Sequence, residues 1–237
     1  ITQQETAEQS RREFTANVSH ELKTPITSVK VLADSLLAQE NVPAELYREF
    51  MEDIAQEVER ENTLINDLLE LVKLDKAAAE LNISVVNINE LTEVILKTLR
   101  PIARKNNVEV TLISKREILA EVDKVKMSQI ITNLVENAIK YNREQGKVEV
   151  TLDADHQFFT VQVEDTGIGI PAEAISQIYE RFYRVDKSHS RKIGGTGLGL
   201  AITRSAVLLH RGSIKVESRE NEGTTFTVKV PLTRSLT

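Results

Sequence analysis

Asn133-Leu134-Val135-Glu136-Asn137-Ala138-Ile139-Lys140-Tyr141 is the stretch that decides how the second half of this chain folds. Leu134, Val135, Ala138 and Ile139 recur at helical spacing, so the segment reads as a helix laid on a core. Asn133, Asn137 and Tyr141 fall four apart on another face. Asparagine is a poor helix former, so two on one face invite a reason. An amide oxygen is a hard ligand suited to Mg²⁺, which takes few protein ligands beside phosphates and waters. A solvated polar face is the other reading of the same pattern.

Working outward, Asp123 is placed to cap this helix, which is expected to run to about residue 141. Upstream, 83–88 reads as a strand, Asn89 as the N-cap of a helix to about 105, and 108–113 and 118–122 as strands. Downstream, 147–152 and 158–163 alternate as a β-hairpin, and 172–178 and 198–209 read as helices. Residues 213–218 and 224–230 close a last hairpin around Asn221-Glu222-Gly223. This mixed order predicts one sheet with helices packed on one face.

Two glycine-bearing boxes follow. Asp165-Thr166-Gly167-Ile168-Gly169-Ile170-Pro171 lies where a strand ends. Glycines there admit a ligand close to the backbone, and a strand-end Asp can accept a hydrogen bond from an exocyclic amine. Asp-x-Gly is also an ordinary turn. Gly194-Gly195-Thr196-Gly197-Leu198-Gly199-Leu200 opens a helix, whose N–H groups and dipole favour phosphate. It is not a Walker A loop, since no Lys follows in the required place, nor a dinucleotide fingerprint, since no strand immediately precedes it. The polar stretch 186–192 reads as a lid. Arg181 and Arg184 ahead of it, and Lys187 within it, are placed to reach phosphates, and Phe182 and Tyr183 to pin the lid by burial.

The N-terminal third has a different character. Phe14, Val18, Leu22, Val29, Leu32 and Leu36 mark a helix over 5–39, and Asn41-Val42-Pro43 breaks it. A second helix to about 76 carries Phe50, Ile54, Val58, Ile65, Leu68 and Val72 on one stripe. Two hairpins packed together would cover both stripes in a four-helix bundle, so homodimerisation is the economical expectation. Packing within the chain is the alternative. On the first helix stands Ser19-His20-Glu21-Leu22-Lys23-Thr24-Pro25: a titratable nucleophile followed by a carboxylate, with a hydroxyl four residues on. Pro25 lacks the N–H that the Glu21 carbonyl would take, which predicts a bend just past His20.

Composition narrows the classes. Hydrophobic residues are 41% and aromatics 4%, so the cores are aliphatic. Net charge is −6, with 36 acidic against 30 basic residues, which argues against a nucleic-acid binder. Cysteine is absent, excluding disulfides and thiolate metal sites. No apolar run approaches the roughly 18 residues of a membrane span. The chain begins Ile1-Thr2-Gln3 without an initiator Met and reads as a piece of something longer.

Taken together and in order, these boxes resemble the catalytic core of bacterial sensor histidine kinases from about residue 12 to 231. The histidine box (14–25), the two-asparagine box, the aspartate–glycine box, the Arg-Phe-Tyr-Arg box, the Gly-Thr-Gly-Leu-Gly box and Gly223-Thr224-Thr225-Phe226 all carry the likeness. The resemblance implies an α-helical hairpin forming a dimeric four-helix bundle, followed by an α/β sandwich of the gyrase/Hsp90/MutL type. The expected boundaries are 1–76 for dimerisation and phosphotransfer, 77–82 for a hinge, and 83–237 for ATP binding. By the same likeness His20 accepts phosphate, with Glu21 and Thr24 beside it for proton transfer and for a phosphatase role. Asp165 would hold the adenine amine with Thr225 nearby, and Asn137 would ligate Mg²⁺ with Asn133 close to the phosphates. Lys140 and Tyr141 would flank the nucleotide, while Gly167, Gly169, Gly195, Gly197, Leu198 and Gly199 shape the pocket and lid, joined by Arg184 and Lys187. The implied cofactors are ATP and Mg²⁺. The implied partners are a response-regulator receiver domain and a second copy of the hairpin, with a membrane reached only through an absent N-terminal sensor region and the core itself cytoplasmic. Asn142-Arg143 departs from the small residue and proline found there in many members. A pure ATPase of the same sandwich class and a non-catalytic dimeric scaffold are the rival readings.

Overall fold

The computed structural model describes residues 3–74, 80–185 and 195–234. The chain divides into two compact units, Ile1–Glu70 and Leu71–Thr237. Residues 77–79 of the expected hinge lie outside the described residues.

Two long helices make the hairpin, α1 (Gln3–Leu37) and α2 (Ala44–Leu74). Asn41 turns the chain at φ +63°, and Pro43, whose ring presets a helical φ, offers its carbonyl to the Tyr47 N–H at 2.9 Å. The α1 stripe is half-buried as expected, and α1 runs uninterrupted through a buried Pro25. The α2 stripe splits. Phe50, Ile54 and Leu68 are half-buried and Leu64 and Leu71 fully buried, whereas Val58, Ile65 and Val72 are exposed. The sequence marks apolar positions but not which neighbour covers them. Met51, Val58, Ile65 and Val72 repeat at heptad spacing and form a second, uncovered seam.

The α/β unit begins with β1 (Ile83–Asn87), paired antiparallel to β3 (Leu119–Asp123). The remaining elements in chain order are α3 (Ile88–Lys105), β2 (Glu109–Ser114) ahead of β3, then α4 (Lys124–Lys140), β4 (Lys147–Ala154), β5 (Phe158–Asp165), α5 (Gly199–Leu209), β6 (Ser213–Arg219) and β7 (Gly223–Pro231). The main sheet has five strands in the order β2-β4-β5-β7-β6, with β2–β4 parallel and every other pair antiparallel. One face carries Val148, Val150, Leu152, Phe159, Val161, Val163, Phe226, Val228 and Val230, all buried in a core shared with α3, α4 and α5. Each such apolar side chain contributes roughly 1.5–3 kcal/mol by leaving water. Glu149, Glu164 and Lys229 on the other face are exposed. The helices therefore lie on one face of a mixed sheet, as expected.

Three local expectations are corrected. The predicted single sheet is two, because β1 and β3 pair only with each other among the strands. Asn87, not Asn89, caps α3: its extended backbone lets its side chain accept the Glu90 N–H at 3.1 Å. Asn89 instead bridges the Arg116 carbonyl and the Ile118 N–H, both at 2.8 Å. Residues 172–179 form successive turns rather than a helix, closed by Ala174 to Pro171, Gln177 to Ala174 and Glu180 to Gln177. Burial of Ala174 and Ile178 holds them in place of an α-helical ladder.

Asp123 caps α4 as expected, accepting the Lys126 N–H at 3.0 Å. Its own N–H donates to His210 Nε2 at 3.0 Å, while His210 Nδ1 lies 2.7 Å from the Ala206 carbonyl. A backbone N–H can only donate and a carbonyl only accept, so this buried ring is the neutral Nδ1–H tautomer. Burial pushes its pKa down, consistent with that state. His210 thus joins the start of α4 to the end of α5.

Gly223 sits at φ +124°, and a Cβ there would stand 2.0 Å from the Asp165 carbonyl oxygen. Gly223→Ala is expected to destabilise the chain by about 2–4 kcal/mol in urea denaturation, since neither backbone can yield without breaking the β5–β7 ladder.

Candidate functional site

On α1, His20 and Thr24 are exposed and Glu21 is half-buried. The Thr24 hydroxyl donates to the His20 carbonyl at 3.1 Å, which places it one turn along the same face and leaves its oxygen lone pairs outward.

In the α/β unit, the two asparagines of α4 do different things. Asn133 Nδ2 donates to the Gly199 carbonyl and to Thr203 Oγ1, both at 3.3 Å, tying α4 to the first turn of α5. The Asn137 side-chain amide has no hydrogen-bond partner among the described residues. Lys140 pairs with Glu136 at 2.9 Å. Tyr141 ends α4, and its carbonyl accepts the Ile168 N–H at 3.0 Å.

Asp165 ends β5 on the core face of the sheet. Its Oδ1 accepts the Gly167 N–H at 2.8 Å. Burial raises its pKa to about 6; the Gly167 and Thr224 N–H groups pull it down in part, and the Glu164 charge adds to the rise. Gly167 closes this corner: a Cβ would lie 2.3 Å from the Tyr141 carbonyl, so only glycine fits where the loop passes under α4. The Phe182 N–H donates to the Gly197 carbonyl at 2.9 Å, and the Arg184 guanidinium donates to the Gly195 carbonyl. The Arg-Phe-Tyr-Arg box and the glycine box are thereby stitched together.

Of the expected α/β residues, Asp165, Gly167 and Tyr141 meet at this corner, and two expectations change. Thr225 pairs with Glu164, whereas Thr224 is the partner of Asp165. Side chains alternate across a strand, so Thr225 faces away from Asp165 and the neighbour is the buried Thr224. Leu198 is fully buried at the start of α5, so its side chain belongs to the core and only its backbone faces the loop. Gly169 lies against the Arg219 carbonyl at the end of β6, and Gly199 gives its carbonyl to Asn133 and Thr203. Lys187 and the lid stretch lie outside the described residues. Thr224, paired with Asp165, Thr203, bonded to Asn133, and Thr166, bonded to Asn142, had no site role from the sequence, and Asn142 stood out there only as a departure from the family pattern. Strand alternation counted from Asp165 would have found Thr224 only with the β5–β7 register in hand.

The donor set suits a nucleotide with Mg²⁺. An uncommitted amide oxygen stands on α4 at Asn137, and a half-buried carboxylate ends β5 at Asp165. Among the described residues no cluster of three or more His, Cys, Asp or Glu could hold a metal by itself. A Mg²⁺ ion here would therefore share its shell with phosphate and water, as that ion prefers.

A family model described as histidine kinase-, DNA gyrase B- and HSP90-like ATPase matches residues 122–234, and the His Kinase A (phospho-acceptor) domain matches residues 10–77. The sensor protein kinase WalK of Staphylococcus epidermidis is 39% identical over 98% of this chain, which spans 38% of that relative's length. The catalytic domain of histidine kinase ThkA superposes with a TM-score of 0.58 at 31% identity, covering 65% of this chain and 97% of that one. ThkA in complex with the response regulator protein TrrA gives a TM-score of 0.78 at 26% identity, covering 100% of this chain and 69% of that one.

Proposed function

Since the chain belongs to the histidine kinases, we propose that it transfers the γ-phosphoryl group of ATP to His20 and then to an aspartate of a response regulator. The observation that carries this reading is the presence of both halves in one chain. An exposed His20 lies inside the phospho-acceptor match, and the Asp165–Gly167 corner lies inside the ATPase match.

In the α/β unit, Asp165 accepts a hydrogen bond from the exocyclic amine of adenine, with Thr224 closing the same corner. Asn137 would hold Mg²⁺, with Asn133 keeping α5 and its glycine loop in register. That ion supplies charge neutralisation on the phosphate oxygens. Arg184, held at Gly195, and Lys187 add positive charge on the lid side. In the hairpin, neutral His20 attacks through Nε2. The N–P bond forms, the bond from γ-phosphorus to the bridging oxygen breaks, and ADP departs. Nδ1–H becomes more acidic as the ring gains positive character, and Glu21, reaching sideways from the next helix position, accepts that proton or balances the charge. Incubation with Mg²⁺ and γ-labelled ATP tests the reading: the label on the protein must be acid-labile and alkali-stable.

The response regulator is proposed as partner by analogy with the ThkA–TrrA complex. The uncovered heptad seam of Met51, Val58, Ile65 and Val72 supports a homodimeric four-helix bundle. We assign the chain to the cytoplasmic side of a membrane-bound sensor.

Thr24 is proposed to orient the water that hydrolyses the partner's aspartyl phosphate. Its outward lone pairs can accept a hydrogen bond from that water. Thr24→Ala is expected to slow dephosphorylation of a phosphorylated response regulator by about 10- to 100-fold while His20 still becomes labelled. Undiminished dephosphorylation would leave Thr24 as helix filler.

A further inference from the structure

Asn142 and Arg143 follow α4 where many histidine kinases carry a small residue and proline, and the mechanism above does not use them. We infer that Asn142 is a positioning residue that sets the base selectivity of the Asp165 corner by bracing the loop after β5. The inference rests on the reading of Asp165 as acceptor of the adenine amine.

The brace is a closed set of hydrogen bonds. Asn142 Nδ2 donates to the Lys147 carbonyl at 2.9 Å, and its Oδ1 accepts the Arg143 N–H at 2.9 Å. The Thr166 hydroxyl accepts the Lys147 N–H at 2.9 Å. Its single proton goes to Asn142 Oδ1 at 3.3 Å; the Lys147 carbonyl is farther, at 3.5 Å, and already takes the Thr166 N–H as well as the Asn142 amide. Asn142 therefore bonds both to the strand start at Lys147 and to the residue directly after Asp165.

The next turn of the loop is held from two further sides. The Ile168 N–H donates to the Tyr141 carbonyl at 3.0 Å, and the Ile168 carbonyl accepts the Asn221 N–H at 2.7 Å. The Arg143 guanidinium donates in turn to the Asn221 carbonyl. Residues 141–147, Thr166, Ile168 and the Asn221 turn are thus tied in a ring that fixes the loop directly after Asp165. A proline at 143 has no N–H to give Asn142 and no guanidinium to reach Asn221, so this ring depends on the pair present in this chain. Its effect falls on Asp165. Gly167, whose N–H orients the carboxylate, is flanked by Thr166 and Ile168, the two residues that the ring fixes. A carboxylate held in one orientation favours a base presenting an amine over one presenting a carbonyl oxygen at the same position.

The test compares dissociation constants of the whole chain for Mg-ATP and Mg-ITP, inosine lacking the exocyclic amine. The wild type should prefer ATP. Asn142→Ala and Thr166→Val should each reduce that preference about tenfold, and the double variant little further, because both break one link. Thr166→Ser, which keeps the hydroxyl, should retain the wild-type ratio. An unchanged ratio in Asn142→Ala, or proportional weakening of both nucleotides, would overturn the brace while leaving the Asp165 reading intact. A wild type that does not prefer ATP would overturn the Asp165 reading and the brace together.

Discussion

His20→Gln is expected to reduce labelling by γ-labelled ATP to background. The side chain is exposed on α1, so the substitution costs little stability, within about 0.5 kcal/mol. Glutamine keeps the length and helix propensity and leaves the Thr24 hydroxyl bond in place, since that bond goes to the backbone carbonyl of residue 20. What disappears is the ring nitrogen lone pair, for which an amide nitrogen is no substitute. Nucleotide affinity, read separately, should be unaffected, because the groups proposed to bind it belong to the α/β unit. Equal labelling of the variant would sink the central reading, and a label stable to acid would point to a different acceptor.

The second large effect concerns Asp165. Burial holds its carboxyl at a pKa of about 6. Only the ionised form accepts two N–H donors and an adenine amine together, so nucleotide must displace the proton below that pH. Affinity for ATP is therefore expected to be flat above about pH 6.5 and to fall toward tenfold per pH unit below about 5.5. Asp165→Asn should weaken binding by about 10- to 100-fold at pH 7.5, the worth of a charge-assisted hydrogen bond, and should flatten that pH profile. Isothermal titration between pH 5 and 8 reads both. The stability linkage has the opposite sign to that of a salt-bridged acid. The folded pKa lies above the ordinary carboxyl value of 3.8, so the unligated chain loses stability from this group as pH rises from about 4 through 6, by at most about 3 kcal/mol. Nucleotide bound at Asp165 as proposed would offset that cost.

Several elements could be read from residues alone because their causes are local. Asp123 ahead of an apolar-periodic run gave the start of α4, and Asn221-Glu222-Gly223 gave the β6–β7 turn. The asparagine face and the strand-end aspartate were visible for the same reason. The exceptions involve competition between residues. Asn87 and Asn89 are equally good caps in isolation, and only the end of β1 makes Asn87 the extended one. Residues 172–178 have helical composition, but burial of Ala174 and Ile178 is met by a chain of turns.

What the amino-acid sequence determined by itself was the pair of helices with their apolar positions, the alternation of the strands, and the chemical identity of the groups: a histidine on a helix, two helical asparagines and an aspartate before glycine. These follow from periodicity and residue type, which act over a few residues. Only the tertiary structure decided which threonine faces Asp165, which apolar residues of α2 stay uncovered, that Asn133 is committed to α5 while Asn137 is not, and that Asn142 reaches Thr166. Each of these depends on strand register or on contacts between residues far apart in the chain, such as Asp165 with Thr224 and Asn133 with Gly199. A one-residue slip in register reverses a face, and no local pattern records which register packs the core.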